Sequence, residues 1–243
     1  MAELTGGGGE GTGGSVMERL ERVRVRIAAA EANAGRPPGS VTLVAVSKTF
    51  SAAAALEAVA AGVADLGENR AQELRDKSAA LGSGCDVRWH FVGHLQTNKV
   101  RVVVGTASLI HSVDRFGLAE AIGRRAVHLG MSQEVLIQVA LAGEAAKQGI
   151  EPGRAVALAE EVAGIEGVTV RGLMTIPPIP QDPEDSRPFY RHLAELSEIL
   201  QGVLPGAVEL SMGMTRDFEV AIEEGATLVR VGEAIFGPRR PSR

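Results

Sequence analysis

One lysine closes an apolar run: Thr42-Leu43-Val44-Ala45-Val46 leads straight into Ser47-Lys48-Thr49. Partial burial at such a place disfavours the ammonium form and lowers the lysine pKa. Only the neutral amine attacks a carbonyl, so Lys48 is a candidate for Schiff-base chemistry. A solvated rim lysine has the same local sequence, and the residue does not decide between the two by itself.

The far end of the chain offers the complement. Leu210-Ser211-Met212-Gly213-Met214-Thr215-Arg216-Asp217-Phe218 follows one apolar run, and Leu228-Val229-Arg230-Val231-Gly232 forms another. Glu233-Ala234-Ile235-Phe236-Gly237 is then long enough for one helical turn. Backbone N–H groups at a helix start, with the helix dipole behind them, favour an anion such as phosphate. Gly232 permits close backbone approach, and the Ser211 hydroxyl is a possible donor. Two ordinary turns are the bland reading of the same segments. Arg230 is the oddity. A guanidinium inside an apolar strand costs several kcal/mol without a partner. Facing inward it would meet a ligand; facing outward it would pair with a covering helix.

Other polar groups read more plainly. Gly67-Glu68-Asn69 and His90-Phe91-Val92-Gly93-His94-Leu95-Gln96-Thr97-Asn98-Lys99 each follow an apolar run. Gly93 allows a tight exit, Thr97 or Asn98 suits a helix cap, and a lone His111 reads as a satisfied structural residue.

These groups need elements to hold them. Apolar, β-branched runs occur at 41–47, 64–67, 87–92, 108–113, 135–140, 168–174, 207–210 and 226–231. Helical patterns lie between them, near 51–61, 70–80, 97–104, 115–129, 152–163, 186–202 and 216–224. Alternation of this kind requires parallel strands, buried on both faces and therefore continuously apolar. Eight such units in one domain fit an α/β fold, a (β/α)8 TIM barrel, with an extra N-terminal helix. An open doubly wound sheet has the same periodicity. The extra helix starts at Ser15, with Glu18 completing a capping box, and carries Val16, Leu20, Val23 and Ile27 on one face. Residues 1–14 are glycine-rich with little to bury and read as a disordered tail, leaving 15–243 for the barrel.

Composition removes other classes. The chain has 243 residues, 45% hydrophobic, with 25 Lys+Arg against 30 Asp+Glu, and aromatics make up only 3%. Net charge −5 gives no footprint for nucleic acid. No apolar stretch suits a bilayer, no secretory signal is evident, and a single cysteine allows no internal disulfide, so a cytoplasmic address is expected. Nothing in the sequence argues for an obligate dimer, and a monomer is the simpler expectation.

The segments 43–49, 67–69, 90–99, 172–174, 210–214 and 229–237, taken together and in order, resemble the pyridoxal phosphate homeostasis proteins. The resemblance covers essentially 15–239 and implies an alanine racemase-like barrel that binds pyridoxal 5′-phosphate (PLP). By it, Lys48 holds PLP as an internal aldimine. Ser211 and the backbone around Gly232 and Glu233 hold the phosphate, Arg230 faces the pyridine nitrogen, and Asn69 and Met174 line the pocket. Glu233 stands where a small or hydroxyl residue is common, and only its N–H suits a phosphate. Lys147 matches a family lysine near the mouth. The implied role is buffering or delivery of PLP to apo PLP-dependent enzymes, without robust turnover. A permanently protonated arginine keeps the ring nitrogen unprotonated and weakens its electron sink. Alanine racemases supply a second base, a tyrosine, from a further domain, and the single tyrosine here, Tyr190, falls on a helical segment. The alternatives are a fold-type III PLP enzyme, a racemase or lyase, and a cofactor-free aldolase using Lys48.

Overall fold

The computed structural model describes residues 14–82, 84–142 and 148–238. Eight parallel strands close on themselves in chain order: β1 Thr42–Val46, β2 Asp65–Glu68, β3 Arg88–Phe91, β4 Leu109–Val113, β5 Gln133–Val139, β6 Val168–Thr175, β7 Glu209–Ser211 and β8 Leu228–Val231. Closure is made by β1 against β8, with Thr42 opposite Leu228 and Ala45 opposite Val231. The expected barrel is thereby formed, and the competing open sheet is excluded. Helices cover its outside: α1 Val16–Asn33, α2 Ala52–Ala60, α3 Ala71–Leu81, α4 Val100–Val103, α5 Phe116–His128, α6 Pro152–Ala163, α7 Arg187–Val203, α8 Phe218–Glu223 and α9 Glu233–Phe236.

Local sequence explains most of the helix boundaries. The Ser15 hydroxyl accepts from the Glu18 N–H while the Glu18 carboxylate accepts from the Ser15 N–H. Ser51 caps α2, and Pro152, which has no N–H to lose, opens α6. The large core lies between strands and helices, where Leu66, Trp89, Phe91, Ile110 and Ile137 meet Leu74, Leu118, Ile122 and Leu158. A smaller apolar cluster, Val44, Val46, Leu109, Leu136, Met174 and Leu228, fills the barrel axis. That alternation along each strand puts Val229 and Val231 against helices and Arg230 inside.

α1 does not belong to a βα unit. Its apolar stripe packs on α8 and α9, the last elements of the chain. Arg19 Nε donates to the Ile235 carbonyl at 2.7 Å, Arg26 pairs with Glu219 at 2.5 Å, and the Arg26 guanidinium lies 4.5 Å from the Phe218 ring centroid.

Most of the glycine-rich tail, 1–13, lies outside the described residues, as does Lys147.

Candidate functional site

The strand ends and the loops after them surround a cleft of about 830 Å³. Lys48, Asn69, Arg230, Gly232 and Glu233 all line it. Ser211 and Met174 do not. Both are fully buried in the barrel, Met174 within the axial cluster and Ser211 behind Arg230. Near the ends of β6 and β7 these two side chains point into the axis below the mouth, so the structure places Met174 and the Ser211 hydroxyl beneath the cleft rather than on its wall.

Arg230 settles the question its sequence posed. It faces inward, 5% exposed, with Nη1 donating to Ser211 Oγ at 2.5 Å and Nη2 to the Thr175 carbonyl at 2.8 Å. Both partners are neutral, and no carboxylate pairs with it among the described residues. Burial lowers its pKa to about 10, which leaves it cationic at neutral pH. A desolvated cation with no carboxylate in ion-pair contact, Asp217 acting on it only from a distance, is an incomplete electrostatic arrangement at the floor of a cleft.

Lys48 is half-buried, in a loop gripped on both sides. The buried Lys77 of α3 donates from Nζ to the Ser47 carbonyl at 2.7 Å and to Glu68 Oε1 at 2.5 Å. Glu68 Oε1 also accepts from Ser47 Oγ at 2.5 Å. On the other side, the Thr49 N–H donates to Glu73 Oε2 at 2.9 Å, and Thr49 adopts φ 69°, a left-handed conformation uncommon for a β-branched residue. Burial pushes the Glu68 carboxyl up, against the pull of Lys77 and Ser47. This clamp joins β1, β2 and α3. It was not legible in the sequence, where Lys77 looks like any helical lysine nine residues from Glu68.

Asn69 follows β2 with its Oδ1 buried and unpaired in the protein. Its backbone is pressed against Gly93, where a Cβ would lie 2.1 Å from the Asn69 carbonyl oxygen, so glycine is required for Asn69 to sit at the cleft. Gly232 starts α9 and packs on β1, its missing Cβ 3.0 Å from the Val46 carbonyl. Thr215 and Arg216, from the segment after β7, join the lining, as do Arg70 and His94. Asp217 also borders the cleft but is engaged by the Met214 N–H at 2.8 Å and Ser186 Oγ at 2.7 Å. Tyr190 is buried in α7 outside the lining, its hydroxyl held un-ionised by burial and by Asp217.

His111 is not a lone histidine. Its Nε2 lies 2.9 Å from His90 Nδ1 and its Nδ1 2.8 Å from Ser211 Oγ. Among the described residues no cluster suits a metal ion, and no helix is long and apolar enough to cross a membrane.

A closed parallel barrel whose mouth gathers a lysine, a desolvated arginine and a glycine-started helical turn defines a class of protein, the alanine racemase-type barrels. The family model for the alanine racemase N-terminal domain matches residues 19–240. Within that class, the chain belongs to the pyridoxal phosphate homeostasis protein family. It is 47% identical to the Aquifex aeolicus pyridoxal phosphate homeostasis protein over 224 residues, covering 92% of this chain and 98% of the relative. The Vibrio cholerae protein of the same name is 41% identical, with 94% and 98% covered. Among solved structures, PipY of Synechococcus elongatus with PLP bound is 38% identical, with TM-score 0.81 over 92% of this chain and all of that one. Alanine racemase of Clostridium difficile, 16% identical with TM-score 0.64 over 90% of this chain and 60% of that one, shares the fold.

Proposed function

We propose that this protein binds PLP in the strand-end cleft and serves to hold and hand on the cofactor rather than to turn over a substrate. The observation that carries the reading is Arg230, a buried cation with no contact ion pair among the described residues and lining the same cleft as Lys48. Related proteins named for PLP homeostasis, and a similar structure with PLP bound, support it.

When bound, the cofactor supplies an electrophilic aldehyde carbon and a ring that withdraws electrons. Lys48 Nζ is the group that would hold that carbon covalently, and the clamp on Ser47 and Thr49 fixes the loop that presents it. Arg230 would donate to the ring nitrogen. A guanidinium has no acceptor and keeps its protons, so the nitrogen it faces stays unprotonated and the ring withdraws electrons less strongly. The orphan acceptor Asn69 Oδ1 fits a hydroxyl donor on the ligand. The backbone at Gly232 and Glu233 would receive the phosphate, with Thr215 and Arg216 beside it, whereas the exposed Glu233 carboxylate repels that charge and contributes only its N–H. Tyr190, outside the cleft, is not placed to act as a second base opposite Lys48. We further assign delivery to apo PLP-dependent enzymes in the cytoplasm, and a monomer as the working form.

The test is the absorption spectrum of the purified protein before and after borohydride, with peptide mapping. The expected result is a yellow band that bleaches and labels Lys48, absent in Lys48→Ala, whose thermal transition is retained. A protein that stays colourless with added PLP, or a label that persists at another lysine in Lys48→Ala, would overturn the reading.

A further inference from the structure

A chain of buried polar groups crosses the barrel beneath the cleft. Arg88 Nη2 donates to Asp65 Oδ2 at 2.7 Å, and Asp65 Oδ1 lies 2.8 Å from His90 Nε2. His90 Nδ1 meets His111 Nε2 at 2.9 Å, His111 Nδ1 meets Ser211 Oγ at 2.8 Å, and Ser211 Oγ accepts from Arg230. Apart from Arg88, every member is at most 5% exposed. The chain runs from β2 and β3 through β4 to β7 and β8, and Asp65 stands at the start of its strand, at the end of the barrel away from the cleft.

We propose that Asp65, His90 and His111 are positioning residues for Arg230, acting across the barrel by holding the Ser211 hydroxyl as an acceptor toward the guanidinium. Donors and acceptors fix the direction of each link. Arg230 only donates, so Ser211 Oγ accepts from it. Asp65 accepts: despite burial, its bonds to His90 and Arg88 hold the carboxyl below its usual range. His90 therefore carries a proton on Nε2. Burial first, and then the Arg230 charge, keep His111 neutral. With His90 neutral too, each link is satisfied in one direction: Arg230 to Ser211, Ser211 O–H to His111 Nδ1, His111 Nε2–H to His90 Nδ1, His90 Nε2–H to Asp65. A doubly protonated His90 would force the His111 proton onto Nδ1. Ser211 would then accept from both sides, and its own proton would have no acceptor in the chain. The one-way arrangement leaves nothing unmatched, and the carboxylate at the far end sets its direction.

The inference rests on the PLP reading for its consequence and on the protein alone for its geometry, so its test has two arms. In cofactor-free protein with ¹⁵N-labelled histidine, both His90 and His111 are expected as neutral Nε2–H tautomers at neutral pH. An imidazolium or an Nδ1–H tautomer at either would overturn the proposal, whether or not PLP binds. The second arm is Asp65→Asn. Arg88 should retain the amide oxygen and turn the NH₂ toward His90, reversing every bond so that both histidines become Nδ1–H and Ser211 no longer donates to His111. Reversing the Ser211–His111 bond leaves the Ser211 proton unmatched beside the guanidinium and should weaken PLP binding about three- to ten-fold. In a Ser211→Ala background, which cuts the chain, Asp65→Asn should add little further loss. Unchanged PLP affinity in Asp65→Asn, or an undiminished effect behind Ser211→Ala, would overturn positioning through the chain. The wild-type tautomers keep the proposal falsifiable should Asp65→Asn fail to fold.

Discussion

His111 shows how much a single buried group commits the molecule to a pH range. Its folded pKa is driven well below 6.5 by burial first, with the Arg230 charge acting in the same direction. The unfolded chain therefore binds a proton that the folded state refuses once the pH drops under about 6.5, and stability falls with pH from there. The slope from this one group is about 1.4 kcal/mol per pH unit. Asp65, held low, contributes stability that is lost only as the pH falls further, below the ordinary carboxylate value of 3.8. Glu68, pushed up, acts with the opposite sign from about pH 4.5 upward. The His111 resonance is accordingly the direct readout: it should show no titration between pH 7.5 and 6 while the unfolding free energy begins to decline. A midpoint near 6.5 for that resonance would contradict the burial argument. The chemistry at this scale was half legible. Lys48 and Arg230 declared themselves by standing at or inside apolar runs, but the partners of Arg230 did not, because Ser211 and Thr175 lie 19 and 55 residues from it and meet it only inside a closed barrel.

All eight strands follow from apolar runs bounded by helical patterns, since parallel strands buried on both faces need no alternation to be recognised. What the runs do not reveal is which side chains point along the axis. Ser211 shows this: the apolar run stops at Leu210, yet Ser211 pairs with Leu228 as the last residue of β7 and turns inward. The clamp between α3 and the β1–α2 loop escaped for a similar reason, because Glu68 faces outward from β2 toward a helix while its neighbours face the axis. Lys77→Met tests it. Glu68 would be left buried without its cation, at a cost of about 3 kcal/mol, and the loop bearing Lys48 would lose its hold on Ser47. Denaturant unfolding should show the loss, and PLP affinity should drop beyond what stability alone explains. Combining Lys77→Met with Glu68→Gln should recover most of the stability, but not the affinity. Recovery of both would make the clamp merely structural.

At the scale of the whole molecule, closure is the decisive property. β1 finds its second neighbour only in β8, and the stripe of α1 finds most of its surface on α8 and α9. A chain cut after residue 226 would lack β8, Arg230 and α9, exposing two strand edges and the face of α1. Such a fragment is expected to show no cooperative unfolding transition and to bind a hydrophobic dye; a cooperative transition would mean that seven strands suffice.

A ribosome delivers these partners in the opposite order from the one in which they are needed. α1 emerges first and must wait for residues near 218–236 before it can dock, roughly ten to forty seconds at ordinary translation rates of about 5–20 residues per second. Lys48 emerges early as well, and through the same interval it has neither Arg230 nor the α9 turn beside it. If Lys48 holds the cofactor as proposed, a growing chain presents that amine without the pocket that would select one aldehyde over another, and loading is expected of the released protein rather than during its synthesis.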